Sequence, residues 1–391
     1  MHRLSAALGM PQHRFASIHV VGTNGKSSVA RMTAALLEAH GMRSGASLSP
    51  HASSWAERTV VGGEPVAPAE FAAAVERTAQ AVEVVERTLD EGEAITQFEA
   101  ATAAGFVALA AAGVEAAVVE AGLGGRLDAT NTIPSRVTVL TSVGLDHTEW
   151  LGGTELEIAA EKLAVLRDHS TLVLGRVSED IADLARATAA RRAARLVVAP
   201  PDPGSDVKLR AAGPYQRRNF ALAIAAAEAF LGEVDGRRVR EVAANLVVPG
   251  RLERVADDPP VYLDAAHNPD GAAALAEALP GVAEGKPVVA CLAVLADKDA
   301  EGMAAALAPA LDAVVCTELP AALLAGAGRP GASFRPSAEL ARAFEAQGVR
   351  AESETDAAAA LRRTLELATE SAGTAVVAGS HYLLGHVRKE A

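Results

Sequence analysis

Short apolar runs that are typical of buried strands alternate with helical stretches along nearly the whole chain of 391 residues. The first run, at 18–22, leads through a glycine-containing turn into a helical stretch at 27–40. Parallel strands need long crossovers, usually helices, and such sheets are covered on both faces. The alternation therefore predicts an α/β fold with mostly parallel sheets and helices on both sides.

The same pattern predicts further elements before and after a proline-rich segment at 249–260. Before it, we expect strands at 115–120, 136–143 and 171–174, and helices at 70–90, 97–112, 154–166 and 178–195. Thr154 and Glu157 have the spacing of a capping box at the start of one helix. After it, we expect strands at 261–264, 287–295, 313–316 and 374–378 with helices between them.

The proline-rich segment predicts a domain boundary, because the strand and helix alternation starts again after it. A length of 391 residues suits two or three domains at about 150 residues each. We expect a mostly parallel sheet domain with a P-loop at residues 1–255. We expect a smaller Rossmann-like α/β domain at residues 256–391.

Composition narrows the classes of function. The net charge of −13 and the aromatic content of 3% argue against nucleic-acid and membrane-surface binding, which need a basic face. Cys291 and Cys316 lie in apolar runs and predict buried, reduced thiols. The chain has no long apolar run and no apolar stretch near residue 1, so we expect a cytoplasmic protein, monomeric, that binds small molecules.

A phosphate-binding loop is the sharpest local signal. The loop has the residues Gly22-Thr23-Asn24-Gly25-Lys26-Ser27-Ser28 between a strand and a helix. Backbone N–H groups at the helix N-terminus favour phosphate, Lys26 would reach the β- and γ-phosphates, and a hydroxyl of Ser27 or Ser28 would meet Mg²⁺. Val20 stands where the full P-loop pattern has its first glycine, so an ordinary glycine-containing turn is the alternative.

The rest of the chain resembles the folylpolyglutamate synthase/dihydrofolate synthase family of the Mur ligase superfamily. Matching stretches follow one another in the family's order: Ser49-Pro50-His51, Thr96-Gln97-Phe98-Glu99, residues 120–131, Gly144-Leu145-Asp146-His147, Glu161-Lys162, residues 216–219, Pro249-Gly250-Arg251, residues 264–269, Asp297-Lys298-Asp299 and Gly379-Ser380. The stretches 120–131 and 264–269 are specific when they occur together.

The resemblance implies an ATP-dependent ligase that joins L-glutamate to dihydropteroate, to reduced folates, or to both. A carboxylate oxygen is a poor leaving group, so ATP would first convert the acid into an acyl phosphate, which the amine of glutamate then attacks. Positioning and charge neutralisation would supply most of the catalysis. The family's ATP contacts fall on the phosphate loop and on Asn219, Arg251 and Asp264.

The resemblance also implies the catalytic and metal-binding groups. Mg²⁺ would be held by Ser49, Glu120 and His147, with a monovalent cation as a further expectation. Lys162 matches a carbamylated lysine, since a bare ammonium about 4 Å from Mg²⁺ would be repelled by roughly 8 kcal/mol at an effective dielectric constant of ~20. Lys26, Lys162, His147 and Arg251 are the expected catalytic residues.

For the substrates, the resemblance points to two sets of residues. Thr96, Phe98, Leu127, Asp128 and Ala129 would bind the acid, with Phe98 packing on a pterin-like ring and Asp128 accepting hydrogen bonds from ring nitrogens. His267 would line the glutamate or phosphate side. Two domains facing one nucleotide would assemble the site by closure.

Two other functions stay open. A Mur-type or specialised-metabolite ligase would keep the mechanism and take another carboxylate, although a cell-wall ligase would need room for a nucleotide-sugar before the phosphate loop. A P-loop NTPase or switch would need neither an acid pocket nor a second α/β domain with an ATP contact.

Overall fold

A computed structural model describes residues 1–51, 54–326 and 331–390. The chain divides into two compact units, one of residues 1–209 and 217–246, the other of residues 210–216 and 247–391. Each unit contains one mostly parallel sheet, so the expected α/β class is confirmed. The predicted division between residues 255 and 256 stays a prediction.

In the residues that the structure describes, the first unit contains eight strands and most of nine helices. The strands are β1 (Ala16–Val21), β2 (Ser44–Ser47), β3 (Thr59–Val61), β4 (Glu64–Pro65), β5 (Ala116–Glu120), β6 (Ser135–Leu140), β7 (Thr171–Leu174) and β8 (Arg195–Val198). The helices are α1 (His2–Ala7), α2 (Lys26–Ala39), α3 (Pro68–Glu86), α4 (Gln97–Ala111), α5 (Thr148–Leu151), α6 (Glu155–Leu163), α7 (Glu179–Arg191), α8 (Pro214–Leu231) and α9 (Gly236–Asn245). Short 3₁₀ helices occupy Pro11–His13, Trp55–Arg58 and Ala129–Thr132.

The sheet of the first unit has the strand order β4-β3-β2-β5-β1-β6-β7-β8. Strands β2, β5, β1, β6, β7 and β8 pair in parallel, and β3 and β4 add an antiparallel hairpin at one edge. Strand β1 lies between β5 and β6 and pairs along both edges, and its residues after Ala16 are buried. The carboxyl ends of β1, β5 and β6 therefore meet at one edge, where open parallel sheets bind ligands.

The described part of the second unit contains six strands in one sheet. The strands are β9 (Glu253–Asp257), β10 (Pro260–Leu263), β11 (Val288–Leu292), β12 (Ala313–Cys316), β13 (Arg350–Ser353) and β14 (Thr374–Ala378), in the order β13-β12-β11-β14-β10-β9. The helices are α10 (Pro269–Ala283), α11 (Ala300–Leu307), α12 (Ala321–Gly326), α13 (Ser337–Glu345), α14 (Ala357–Glu370) and α15 (His381–Glu390), with a 3₁₀ helix at Ala308–Ala310. Among these described strands, β9 alone pairs antiparallel, with β10. Cys291 and Cys316 are buried, free thiols in the cores on opposite faces of this sheet.

Most of the predicted elements are present, with different ends. The strands at 171–174, 313–316 and 374–378 have the predicted bounds. The strand predicted at 136–143 ends at Leu140, because the next residues turn toward the phosphate loop. The helix predicted at 178–195 was too long: α7 ends at Arg191, and the half-exposed strand β8 follows it. Among the helices of the described ranges, none is both long and apolar enough to cross a bilayer.

The capping box of α6 gives a stability test. Thr154 Oγ1 accepts a hydrogen bond from the Glu157 backbone N–H at 3.2 Å, and Glu157 Oε2 accepts one from the Thr154 N–H at 3.1 Å. We expect Thr154→Ala to lower the free energy of unfolding by about 1 kcal/mol, since a donor at the helix start loses its acceptor. Urea unfolding followed by tryptophan fluorescence measures this, because both tryptophans, Trp55 and Trp150, lie in the first unit.

Ser178→Ala is the matched control for this test. Ser178 stands at the N-cap of α7 but makes no side-chain capping hydrogen bond. We therefore expect Ser178→Ala to change stability by less than half as much. Equal losses in both variants would contradict a specific capping role for Thr154.

Candidate active site

The phosphate loop joins β1 to α2. Gly25 stands at the N-cap of α2 with φ 85°, in the left-handed region, and supplies no side-chain cap. The first turn of α2 carries no acidic residue. The N-terminal N–H groups of a helix favour an anion, so the loop is built to receive phosphate oxygens.

Two glycines bring the loop against its neighbours. A Cβ on Gly22, which has φ 151°, would lie 1.9 Å from Thr141 Oγ1, and a Cβ on Gly25 would lie 2.7 Å from Asn219 Oδ1. Both distances are shorter than a Cβ makes without a shift of its neighbour, and both residues have a positive φ, so glycine is strongly favoured at these positions. The second contact shows that Asn219, on α8 and 194 residues further along the chain, lies directly against the phosphate loop.

Hydrogen bonds fix the loop to the residues that follow β6. Thr141 Oγ1 donates to the Asn24 carbonyl at 2.7 Å, and the Asn24 N–H donates to Ser142 Oγ at 3.1 Å. The Thr23 hydroxyl donates to the Gly144 carbonyl at 3.2 Å and accepts from the Gly144 N–H at 3.1 Å. Lys26 Nζ donates to the Thr23 carbonyl at 2.9 Å, so its ammonium lies over the loop. Polar side chains, which are ordinarily exposed to solvent, therefore hold the loop in one conformation.

Glu120 is the buried carboxylate at the edge of this sheet. It ends β5 and is only 3% exposed. Its Oε1 accepts from Ser27 Oγ at 2.8 Å, its Oε2 accepts from the Ser49 N–H at 3.0 Å, and Ser27 Oγ lies 3.5 Å from the Ser49 carbonyl. Of the two candidate hydroxyls in the loop, Ser27 therefore meets the carboxylate, whereas Ser28 is buried within the core side of α2.

The donor set around Glu120 fits a hard divalent cation. Carboxylate, hydroxyl and carbonyl oxygens are the ligands that Mg²⁺ prefers, usually with few protein ligands and several waters. His147 follows β6 at the same edge, with φ 52° and its Nε2 3.8 Å from Asp146 Oδ1. In residues 1–51, 54–326 and 331–390, no three histidine, cysteine, aspartate or glutamate side chains are grouped to hold a metal ion.

Lys162 is a buried lysine in direct contact with the phosphate loop. It is 4% exposed, and its Nζ donates to the Gly22 carbonyl at 3.0 Å. Burial, together with the nearby charge of Lys26, lowers the pKa of Lys162 from 10.5 to about 7. A large fraction of the amine is therefore neutral, and nucleophilic, at neutral pH.

A glycine explains how α6 brings Lys162 so close to the sheet. A Cβ on Gly125 would lie 2.8 Å from the Glu161 carbonyl and 2.9 Å from the Lys162 carbonyl. Any side chain at position 125 would push the end of α6 away from the loop. Arg126, beside it, forms an ion pair with Glu161 at 3.0 Å that joins the same loop and helix.

Phe98 lies at a small cleft next to Glu120. A Cβ on Gly122 would lie 2.3 Å from Cζ of Phe98, so the end of the ring lies directly against the backbone after β5. The cleft is narrow and is lined by Ser47, Leu48, Ser49, Arg58, Thr59, Phe98, Ala101, Thr102, Glu120 and Thr130. An aromatic wall beside polar groups suits a flat substrate with a polar end.

Arg58 is a lining residue that sequence reasoning missed. Its Nε donates to His51 Nδ1 at 2.9 Å, and its guanidinium lies 4.6 Å from the centre of the Trp55 ring. Burial and Arg58 lower the pKa of His51 to about 4, so the imidazole is neutral and accepts this bond. His51 belongs to the stretch Ser49-Pro50-His51, which the sequence analysis identified, but the residues around it in the sequence do not indicate Arg58 as its partner.

The other predicted acid-side residues have unequal exposure. Asp128 is buried, and its Oδ2 accepts from the Leu123 N–H at 2.8 Å while its Oδ1 accepts from the Thr130 N–H at 2.9 Å. Leu127 is 92% exposed, whereas Ala129 is buried. Thr96 caps α4, with Oγ1 accepting from the Glu99 N–H at 3.2 Å. Asp128 thus shapes the loop that presents Leu127.

In the second unit, Asp264 follows β10 and is fully engaged in holding its own loop. Its Oδ2 accepts from Tyr215 Oη and the Leu252 N–H, and its Oδ1 accepts from the Ala266 N–H, each at 2.8 Å. Burial raises the pKa of Asp264, and the charge of Arg251 opposes that shift. The carboxylate therefore fixes the backbone beside Arg251, and its predicted contact with ATP stays a prediction.

His267 lies in the same loop, three residues after Asp264. Its Nδ1 lies 2.8 Å from the Ala265 carbonyl, and its ring centre is 5.7 Å from that of His381 at the start of α15. Asn268 caps α10 by accepting from the Gly271 N–H at 2.8 Å. Both rings lie at the carboxyl edge of the second sheet, after β10 and β14.

Comparisons with known proteins agree with this arrangement. Residues 250–381 match the family described as "Mur ligase, glutamate ligase domain". The dihydrofolate synthase/folylpolyglutamate synthase of Mycobacterium tuberculosis is 38% identical over 348 residues, which are 79% of this chain and 72% of that protein.

Two solved structures extend the similarity over the full length. The folylpolyglutamate synthase of Mycobacterium tuberculosis complexed with ADP has a TM-score of 0.90 and 33% identity, and the match covers 100% of this chain and 93% of that one. The bifunctional folylpolyglutamate synthase/dihydrofolate synthase of Yersinia pestis c092, complexed with AMPPNP and Mn ion, has a TM-score of 0.84 and 28% identity. The match covers 99% of this chain and 91% of that one. Both of these proteins carry a nucleotide.

Proposed function

Since the chain belongs to the dihydrofolate synthase/folylpolyglutamate synthase family of ATP-dependent acid–amino-acid ligases, we propose that it joins L-glutamate to dihydropteroate, to reduced folates, or to both. The observation that carries the proposal is the meeting of Ser27 and Glu120 at the mouth of the phosphate loop, beside the cleft under Phe98. In this proposal, the sites of the phosphoryl donor and the phosphoryl acceptor adjoin within the first unit.

Activation of the acid is the first part of the proposed mechanism. The N–H groups of the phosphate loop and the ammonium of Lys26 hold the triphosphate, while the cleft holds the acid with its carboxylate toward Glu120 and Ser49. Orientation of the two reactants supplies most of the rate enhancement, since phosphoryl transfer needs alignment and charge neutralisation more than covalent help from the protein. The product is an acyl phosphate, which the amine of glutamate attacks with loss of phosphate.

We propose that Ser27, Ser49, Glu120 and His147 hold Mg²⁺, which would neutralise charge on the phosphates when bound. The Mn ion in the related structure from Yersinia pestis supports a divalent cation. The buried carboxylate of Glu120 supplies the negative charge that such a cation needs. Ser27 orients that carboxylate by donating to Oε1.

For Lys162 we propose a carbamate on Nζ. The reaction needs a neutral amine, whose lone pair forms the N–C bond to CO₂ as one proton is released. The pKa of about 7 supplies that amine near neutral pH, and the carbamate would replace a buried cation by an anion beside Lys26. The nearby charge of Lys26 favours the anion for the same reason that it lowers the pKa of the amine.

The remaining predicted residues have the following proposed roles. Asn219 contacts ATP from α8, which its position against Gly25 supports. Arg251 binds phosphate. Asp264 positions the backbone beside Arg251 and also contacts ATP. His267 binds glutamate, in keeping with the glutamate ligase domain matched at 250–381. Phe98, Leu127, Asp128, Ala129 and Thr96 form the acid side.

The main test is an ADP-release assay with single omissions. We expect ADP only when ATP, Mg²⁺, L-glutamate and either dihydropteroate or a reduced folate are all present, because each bond-forming step needs its acceptor. Lys26→Ala should abolish release, while Lys208→Ala, at an exposed position, should not change it. Release without glutamate would support an NTPase instead, and turnover only with a different carboxylate would support another ligase of the same mechanism.

Glu120→Gln tests the metal assignment. Removing one negative charge from the oxygen ligands should raise the Mg²⁺ concentration for half-maximal activity at least about tenfold, since a lost charge-assisted contact is worth a few kcal/mol. A titration of activity against Mg²⁺ measures it. Glu115→Gln, at the opposite end of the same strand, is the control. Equal midpoints in the two variants would remove Glu120 from the metal site.

A carbamate on Lys162 is tested without activity. After equilibration with ¹³C-bicarbonate, we expect one protected carbonyl resonance in the ¹³C spectrum that is absent in Lys162→Arg and present in Lys208→Arg. Arginine cannot form the carbamate because its guanidinium stays protonated. A spectrum of the parent protein identical to that of Lys162→Arg would contradict the carbamate.

A further inference from the structure

His19 is a buried histidine that the proposed mechanism does not use. It lies on β1, is fully buried, and pairs in register with Val119 of β5 and Thr138 of β6. Its Nε2 lies 2.8 Å from Thr130 Oγ1, and its Nδ1 has no hydrogen-bond partner among the described residues. Burying a half-satisfied imidazole in a central strand costs free energy, so an apolar residue would be more stable there.

The hydroxyl that His19 meets leads to the acid side. Thr130 Oγ1 is hydrogen-bonded to Asp128 Oδ1, and the Thr130 N–H donates to the same oxygen at 2.9 Å. The other oxygen of Asp128 accepts from the Leu123 N–H at 2.8 Å. One carboxylate therefore closes the loop 122–130, and His19 is the anchor of this loop inside the sheet.

The direction of the hydrogen bonds follows from the donors. Two backbone N–H groups point at Asp128, so it accepts as a carboxylate, and the Thr130 hydroxyl must donate to it. His19 must then donate from Nε2 to Thr130 Oγ1. Burial and the charge of Arg167 lower the pKa of His19 to about 3, so the ring is neutral and carries its single proton on Nε2. The unpartnered Nδ1 is then an acceptor, which is less costly to bury than an unpartnered N–H.

The position of His19 along β1 connects this loop to the chemistry. Gly22, the first residue of the phosphate loop, follows His19 by three residues and comes directly after the end of β1. Thr130 also lines the cleft with Phe98 and Glu120. A shift of the loop 122–130 relative to β1 would thus move the acid relative to the phosphates.

We propose that His19 is a positioning residue for the acid substrate: it donates through Thr130 to Asp128 and fixes the loop 122–130 on the strand that carries the phosphate loop. The proposal rests on the proposed function, because it takes that loop as the acid side. His19 does not touch the substrate, and it acts only through Thr130 and Asp128.

The kinetic test compares His19→Phe with His19→Gln and Thr138→Val. Phe keeps the volume and removes the donor, while the Gln amide restores a donor near Nε2. Losing one hydrogen bond to the loop should raise KM for the acid about tenfold, with kcat and KM for ATP within about twofold. His19→Gln should recover most of this change. Thr138, the register partner of His19, has a buried hydroxyl without a partner in the described residues, so Thr138→Val should leave KM unchanged.

Hydrogen exchange makes the test independent of the substrate. We expect the amides of Leu123 and Thr130 to lose protection in His19→Phe and in Thr130→Val, but not in Thr138→Val, while peptides of 22–27 keep theirs. Unchanged exchange at 122–130, or a rise in KM for ATP equal to that for the acid, would overturn the positioning role. If the parent protein turns over no folate acid, the proposed function fails, and the exchange result still decides whether His19 anchors the loop.

Discussion

The buried carboxylate of Glu120 is the constraint around which the first unit is arranged. A carboxylate that is 3% exposed needs partners, and it obtains them from Ser27 at the start of α2 and from the Ser49 backbone beyond β2. These contacts join the ends of three neighbouring strands, β1, β5 and β2. The site is therefore a consequence of strand order, since only a parallel sheet brings these carboxyl ends together.

The sequence predicts well those structural features whose interacting residues are close together along the chain. The capping box at Thr154 and the phosphate loop are visible because their partners lie within a few residues. Fully apolar strands such as β12 and β14 are also found with their ends. The strands that were missed are β2, β3, β4, β8, β9 and β13. Each has at most five residues, and each is very short, built mainly from small residues or largely exposed, so none carries a long apolar run.

Contacts between residues far apart in the chain were not predictable in this way. His19 and Thr130 are separated by 111 positions, and their hydrogen bond exists because β1 pairs with β5 in one register. A shift of one residue would turn His19 to the other face. Lys162 shows the same limit, because a lysine on a nine-residue helix is ordinarily solvated. Gly125, which lets α6 approach the loop, is the local sign, although its meaning depends on the packing.

The buried side chains of His19 and Lys162 lower the stability of the fold. For Lys162, the direction in which stability changes with pH follows from its pKa. Its pKa is about 7 in the folded protein against 10.5 when exposed, so between these values the unfolded chain binds the proton and the folded chain does not. Stability therefore rises with pH across that window, and below it the full penalty applies. His19 carries a penalty of the same sign through its low pKa of about 3, present wherever the unfolded imidazole is protonated. Two destabilising groups, one on β1 and one packed against the loop that follows it, are expected where function, not stability, selects the residue. Lys162 contacts the phosphate loop and His19 anchors the loop 122–130, so both penalties fall where the two reactants must be held in fixed relative positions.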